Sequence, residues 1–170
     1  TSIGIHNNVV HIVYLDNGNG DLRYCRKGIE EGDVGWKFET IDSEGKVGYY
    51  ANMKIDRKGN IHVAYYDSTK KVLKYAVNSR GSWEIMVVDK NDDPGRFISL
   101  WVDEQGNPHL SYFVQSKKEI RYAFFDGKRW EIQVVVSEKA GGSSSVIVVD
   151  GKPMVFFYDS RENMLKVAKK

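Results

Sequence analysis

Asn60-Ile61-His62-Val63-Ala64-Tyr65-Tyr66-Asp67 is the stretch that decides the fold, because the chain writes it four times. Upstream it reads Val10-His11-Ile12-Val13-Tyr14-Leu15-Asp16. Downstream it reads Pro108-His109-Leu110-Ser111-Tyr112-Phe113, and then Pro153-Met154-Val155-Phe156-Phe157-Tyr158-Asp159. Short alternating runs of β-branched and aromatic residues, mostly closed by Asp, make each copy a β-strand. An internal repeat of this kind sets the architecture before any single residue does.

Working outward, each copy stands second in a unit of four. The first part is an apolar strand ending in Asp: Asn52-Met53-Lys54-Ile55-Asp56, Ser99-Leu100-Trp101-Val102-Asp103 and, aligned on the Asp, Val146-Ile147-Val148-Val149-Asp150. A hairpin turn follows at Gly59-Asn60, Gly106-Asn107 or Gly151-Lys152, where glycine supplies a positive φ. The third part is Leu22-Arg23-Tyr24-Cys25, Leu73-Lys74-Tyr75-Ala76, Ile120-Arg121-Tyr122-Ala123 or Leu165-Lys166-Val167-Ala168, a period-two pattern with one buried face. The fourth part opens with tryptophan, at Trp36, Trp83 and Trp130, which recur at an interval of 47 residues. The third part recurs in steps of 51, 47 and 45, and the long step holds an extra loop, Gly28-Ile29-Glu30-Glu31-Gly32-Asp33. Four short antiparallel strands per unit of this length form one blade of a β-propeller. No segment of helical length carries apolar residues at three- and four-residue spacing. The reading is therefore an all-β single domain over residues 1–170. Its four blades lie near 1–47, 48–94, 95–141 and 142–170, the last without its outer strand.

The joints before the tryptophans carry a family resemblance. Phe125-Asp126-Gly127-Lys128-Arg129-Trp130 and Asn78-Ser79-Arg80-Gly81-Ser82-Trp83 resemble the Asp-box turn of sialidase-like propeller repeats, also called bacterial neuraminidase repeats. That turn reads Ser, any, Asp, any, Gly, any, Thr, Trp. Gly127 keeps its place three before Trp130, while Asp126 stands one residue too close and Gly81 only two before Trp83. The resemblance implies a propeller, and in that family the turn is structural. Sialidase enzymes use three arginines on different blades, a Tyr-Glu nucleophile pair and an acidic Asp. Arg23 and Arg121 align with Lys74 and Lys166 and read as surface charges of an outer strand, so no catalytic residue is carried over.

Composition narrows the function classes. The chain has 170 residues and a formal net charge of +2, which gives no reason to expect nucleic acid or an anionic membrane as a partner. No apolar run approaches the roughly 20 residues that span a bilayer. Thr1-Ser2-Ile3 shows no basic-then-apolar leader pattern. The composition leaves the compartment open, an extracellular one included. Cys25 is the single cysteine and reads as a small buried apolar residue. No residue pattern asks for a cofactor.

Candidate chemistry reads mostly as structure. His11, His62 and His109 recur at one repeat position on the second strand, where equivalent residues lie on different blades. They therefore read as packing or hydrogen-bonding residues and not as a metal site. Asp16, Asp67 and Asp159 end the second strand and read as acceptors for backbone N–H groups of the next turn. Asp89, Asn91 and Asp93 put oxygen ligands at alternate positions, like the start of a calcium loop, but the downstream bidentate Glu is absent. Sibling loops, such as Ser137-Glu138-Lys139-Ala140, do not repeat them.

The surface expected to bind is the end of the axis where loops enter the innermost strands. By alignment this is Gly48-Tyr49-Tyr50, Gly95-Arg96-Phe97 and Gly142-Ser143-Ser144. Tyr49, Tyr50, Arg96, Phe97, Ser143 and Ser144 offer aromatic faces, a guanidinium and hydroxyls, which suit a sugar. The plainer alternative is that Tyr50 and Phe97 seal the channel. The expected function is a non-catalytic binding or scaffold module, lectin-like, for a glycan. A glycosidase or lyase of the propeller type and a fragment of a larger propeller are the alternatives. With four units less one strand, the ring can close as a homodimer of eight blades, as four blades in one chain, or as part of a longer one. The dimer is the expectation, because unpaired blade flanks in water are costly.

Overall fold

A computed structural model describes residues 1–170 except 31, 33, 80, 138, 139 and 170. Glu31 and Asp33 of the extra loop, Arg80 of the turn before Trp83, Glu138 and Lys139 of the loop after the third unit, and Lys170 thus lie outside the described residues. The described residues form fifteen strands in four antiparallel sheets. The first sheet is β1 (Ser2–His6), β2 (Val9–Asp16), β3 (Asp21–Gly28) and β4 (Lys37–Asp42). The second is β5 (Val47–Ile55), β6 (Ile61–Asp67), β7 (Val72–Asn78) and β8 (Trp83–Asp89). The third is β9 (Pro94–Val102), β10 (Pro108–Val114), β11 (Glu119–Phe125) and β12 (Trp130–Val136). The fourth has three strands, β13 (Ala140–Val149), β14 (Lys152–Asp159) and β15 (Met164–Lys169). Each sheet is a meander in sequence order, which is the topology of a propeller blade.

The sheets pack in chain order, through β5 on β1 and β2, β9 on β5 and β6, and β13 on β9 and β10. One apolar core fills each junction. Val13, Leu22, Tyr24 and Ile41 meet Val47, Met53, Val63 and Tyr65 at the first. Leu73, Tyr75 and Val88 meet Leu100, Leu110 and Tyr112 at the second. Phe113, Ile120 and Tyr122 meet Val146, Val155 and Phe157 at the third. Inner sheets are covered on both faces, so β6 and β10 are buried at every position. β2 and β14 alternate between buried and half-buried or exposed positions because the outward faces of the first and fourth sheets meet water. Ile3 (65% exposed) and Leu165 (72%) mark those two open flanks.

The repeated aspartates and histidines of the second strands have structural partners. The carboxylate of Asp67 accepts from the Thr69 and Lys70 N–H groups at 3.0 and 2.9 Å, and Asp16 and Asp159 do the same in their own turns. His11 Nδ1 lies 2.6 Å from the Tyr24 hydroxyl and His109 Nδ1 2.7 Å from that of Tyr122, with His62 and Tyr75 paired likewise. Burial holds all three imidazoles below their ordinary pKa, so the neutral ring is favoured.

Polar links also cross between sheets. Asp42, at the end of the first sheet, accepts from Tyr65 Oη at 2.7 Å and Lys74 Nζ at 2.8 Å in the second. Asp89 accepts from Tyr112 Oη at 2.8 Å and Arg121 at 2.9 Å in the third. Arg121 and Lys74 are therefore buried latches, not surface charges. At the third junction, Val136 stands where Asp89 and Asp42 stand, and Phe157 replaces the tyrosine. Both ends of the link turn apolar together, so no polar atom is left without a partner.

The alignment of the fourth unit on Asp150 needs a correction. Val146 pairs with Val155 as Leu100 pairs with Leu110 and Met53 with Val63, so Val146 matches Leu100 and not Ser99. The cause is the two-residue hairpin Asp150-Gly151, with φ of 51° and 72°. The sibling turns are longer and fold around Asp56 and Asp103, which accept backbone N–H groups two and four residues on.

Candidate functional site: the aromatic mouth of the arc

Bulges in the innermost strands build the mouth. Tyr49 pairs with Tyr66 and Asn52 with Ala64, so Tyr50 and Ala51 together face Tyr65. Phe97 and Ile98 face Tyr112 in the same way. The extra residue kinks the strand and turns its side chain out of the ladder. Tyr50 and Phe97 accordingly sit at φ of 55° and 51°, and each is 43% exposed. Gly48 and Gly95 precede them at φ of 97° and 107°, where an added Cβ would lie 3.2 Å from Leu22 and Leu73 of the preceding sheet. Only glycine allows both the backbone turn and that approach.

The result is a run of four rings. Tyr66 and Tyr50 have centroids 6.5 Å apart, Tyr50 and Phe97 5.3 Å, and Phe97 and Phe113 6.3 Å. The Arg96 guanidinium lies 5.2 Å from the Tyr66 ring centroid and donates to Asp93 at 3.1 Å. The Tyr66 hydroxyl donates to the other oxygen of Asp93 at 2.5 Å. Burial, with the adjacent carboxylate, pushes the Tyr66 phenol up to about 12, so it remains a donor. The exposed edges of Tyr50 and Phe97 thus form an apolar platform, bordered by one guanidinium and one carboxylate that hold each other. Such a surface can stack the apolar face of a ring and hydrogen-bond its substituents.

Of the residues expected from sequence, Tyr50, Arg96 and Phe97 gather here. Tyr49 is half-buried beside them. Ser143 and Ser144 are not the counterparts of Arg96 and Phe97. Gly142 and Val146 are separated by one residue fewer than Gly95 and Leu100, so the fourth sheet has no left-handed aromatic position. Gly142 instead backs onto Phe97, with an added Cβ 3.4 Å from that ring, and Ser144 Oγ donates to Ser111 at 2.9 Å. Ser143 is exposed. Sequence reading missed Tyr66 and Phe113, and it singled out Asp93 only for its likeness to a calcium loop. Tyr66 and Phe113 share one repeat position with Leu15 and Tyr158, and that recurrence was the available signal.

The residues that look like the start of a calcium loop have other partners. Asp89 is taken by Tyr112 and Arg121, Asp93 by Tyr66 and Arg96, and the Asn91 carbonyl accepts from Arg121 at 3.0 Å. Among the described residues, no group of three His, Cys, Asp or Glu is arranged to hold a metal ion.

No protein-family model and no curated protein matches the chain. Solved structures do. A protein of unknown function from Dyadobacter fermentans superposes with a TM-score of 0.66 at 14% identity, covering 98% of this chain and 51% of that one. A fucose lectin from Kordia zhangzhouensis, in complex with methyl-fucoside, matches with a TM-score of 0.51 at 17% identity over 81% of this chain and 99% of that one. An ulvan lyase of a polysaccharide lyase family matches with a TM-score of 0.58 at 14% identity, covering 92% and 44%. The chain thus spans about half the length of the first of these and less than half of the third. At such identities the likeness carries the fold alone: the four sheets are blades of a β-propeller.

Proposed function

We propose that this chain is a non-catalytic, glycan-binding propeller module that seats a saccharide on the Tyr50–Phe97 platform, with Arg96 hydrogen-bonding the sugar's substituents. The exposed pair of rings carries the reading: two large aromatics, each 43% exposed at a left-handed position, are held out of the core by matching bulges. The presence of a lectin and a polysaccharide lyase among the structural neighbours supports a carbohydrate ligand. Calorimetric titration with methyl-fucoside and with a sulfated rhamnose–glucuronate oligosaccharide tests it. Tyr50→Ala and Phe97→Ala should each weaken binding about 2- to 12-fold, the factor for an aromatic contact of about 0.5–1.5 kcal/mol. Unchanged affinity in the double variant overturns the platform, and release of shortened sugars would make the module an enzyme.

The same reading includes a second copy that closes a ring of eight blades. At the first and second junctions a Tyr and a Lys or Arg, cross-strand neighbours, reach back to the preceding sheet's aspartate. Tyr14 and Arg23 are the same cross-strand pair in the first sheet, with Arg23 Nε buried and without a partner, but the three-stranded fourth sheet of a second copy has no outer strand to carry the matching aspartate, so the apolar flanks alone support the dimer. Ile3, Ile5 and Phe38 on that flank, and Val149, Leu165 and Val167 on the other, are exposed apolar surface. Joining the flanks head to tail buries both twice about a two-fold axis. Light scattering should return twice the chain mass, and a monomer mass at tens of micromolar removes the dimer.

A further inference from the structure

We propose that the cleft between the third and fourth sheets, along the free edge of β15, is the receptor for an added antiparallel strand that opens with tryptophan. The two earlier junctions show how such a strand is held. Trp83, opening β8, meets Tyr24 of the preceding sheet edge-to-face at 5.4 Å and 70°. Trp130, opening β12, meets Tyr75 at 5.3 Å and 69°. Each receiving tyrosine is fixed by a histidine of its own sheet.

The third junction offers the same receptor without its tryptophan. Tyr122 stands at the receiving position, fixed by His109 at 2.7 Å. Tyr122, Gln133, Val135, Val155 and Ala168 line a cavity of about 200 Å³ there. A cavity of about 150 Å³ takes benzene, so an indole is of the right size. The polar partner is also in place. Trp83 Nε1 donates at 3.0 Å to Glu39, which lies opposite Tyr24 in the register of β3 and β4. Gln133 lies opposite Tyr122 in the same way, and its amide oxygen can accept from an indole N–H. At the second junction Met86 takes that position, and Trp130 Nε1 is buried without a partner.

The edge itself is short of one strand. Ala76 and Ala123 are fully buried, because β8 and β12 run alongside them, whereas their counterpart Ala168 is only partly covered. Among the described residues β15 pairs with β14 alone, so one side of its backbone has no described strand beside it, the arrangement that recruits an extended peptide. The occupant comes from outside residues 1–170. The chain's own tryptophan-led strands are already seated, β8 and β12 on Tyr24 and Tyr75 and β4, which follows Trp36, on β3.

A peptide carrying the seven residues of β8, Trp83–Asp89, with 5-fluorotryptophan at its first position and a lysine tail for solubility, is the probe. Titrated into the whole chain, it should bind one-to-one and shift its ¹⁹F resonance. Replacing its tryptophan by alanine should weaken binding at least about tenfold, the factor for about 1.4 kcal/mol. Ala168→Trp should block the cleft from within, and Gln133→Leu should weaken the peptide while leaving the circular dichroism spectrum unchanged. Equal binding of both peptides, or undiminished binding to a folded Ala168→Trp chain, overturns the proposal. A peptide-induced fall from dimer to monomer mass also overturns it, because a second copy's strand would then hold the cleft. Glycan affinity does not enter this readout, and the comparison of the two peptides is the same whether the chain is a dimer or a monomer.

Discussion

Lys74→Met tests the energetics of the junction between the first and second sheets. The substitution keeps the aliphatic stem and removes the ammonium, so packing is nearly conserved and the loss is electrostatic. Lys74 Nζ lies 2.8 Å from Asp42 of the first sheet and 2.8 Å from Asp67 of its own, and the three side chains are 5%, 4% and 0% exposed. Removing one member of a buried ion pair leaves an uncompensated charge and costs about 3–5 kcal/mol. For a chain of this size each kcal/mol lowers Tm by about 2–4 °C, so a fall of about 6–20 °C is expected. The control comes from the third junction, where Val136 and Phe157 replace the aspartate and tyrosine while Lys166 keeps Asp159 at 2.8 Å. Asp42→Val with Tyr65→Phe copies that arrangement, leaves Lys74 paired to Asp67, and should cost less than about 1.5 kcal/mol, because well-packed apolar replacements of buried polar links are often neutral.

The pH dependence has a defined sign. Burial raises the Asp42 carboxyl, but the hydrogen bonds from Lys74, the Glu44 N–H and Tyr65 outweigh it and hold it below its ordinary value. A depressed carboxyl contributes stability above its unfolded pKa, near 4, and loses it as pH falls through the folded value. Burial lowers Lys74, but its two carboxylates outweigh burial and raise it, so its share is present below about pH 10 and lost as pH climbs through the raised value. Urea unfolding followed by circular dichroism from about pH 2 to about pH 12 measures both limbs. A loss below about 1 kcal/mol in Lys74→Met at pH 7, or a double variant as damaged as the single one, would refute the buried-latch account.

Trp83→Ala should cost about 3 kcal/mol, the low end for a tryptophan because the ring is half-buried on Tyr24; less than about 1 kcal/mol in chemical unfolding would mean that the ring is idle. Gly48→Ala should lower Tm more than Gly127→Ala, since both sit at positive φ but only Gly48 would place its Cβ 3.2 Å from Leu22; equal shifts would show that the approach does not matter. Burial keeps His11, His62 and His109 below their ordinary pKa, so stability should fall as pH drops below about 6.5, and His109→Gln should flatten that slope in a pH series of melts.

Much of the mouth stayed hidden in the sequence. Tyr50, Arg96 and Phe97 were legible because each follows a repeat glycine. Asp93, Tyr66 and Phe113 were not, because their roles come from meetings across sheets: Tyr66 reaches Asp93 from 27 residues away. Ser143 and Ser144 were placed there by alignment, and the one-residue shortening before Val146 puts them out of step with Arg96 and Phe97. Arg121 reads as a surface charge along its own strand, yet it is buried against Asp89, which lies 32 residues earlier.

What the sequence determined by itself is everything local. Alternation with period two, glycine and Asp at the turns, and a tryptophan every 47 residues specify strands, hairpins and four meandering sheets, because each depends on neighbours within a few residues. What the tertiary structure decided is how one sheet addresses the next: the Asp42–Lys74–Asp67 latch, the ring contact between Tyr50 and Phe97, and the cleft over Tyr122. These join side chains from different units, and strand periodicity does not say which faces meet. That choice comes from packing, where volume, burial and charge must be satisfied across the junction at once.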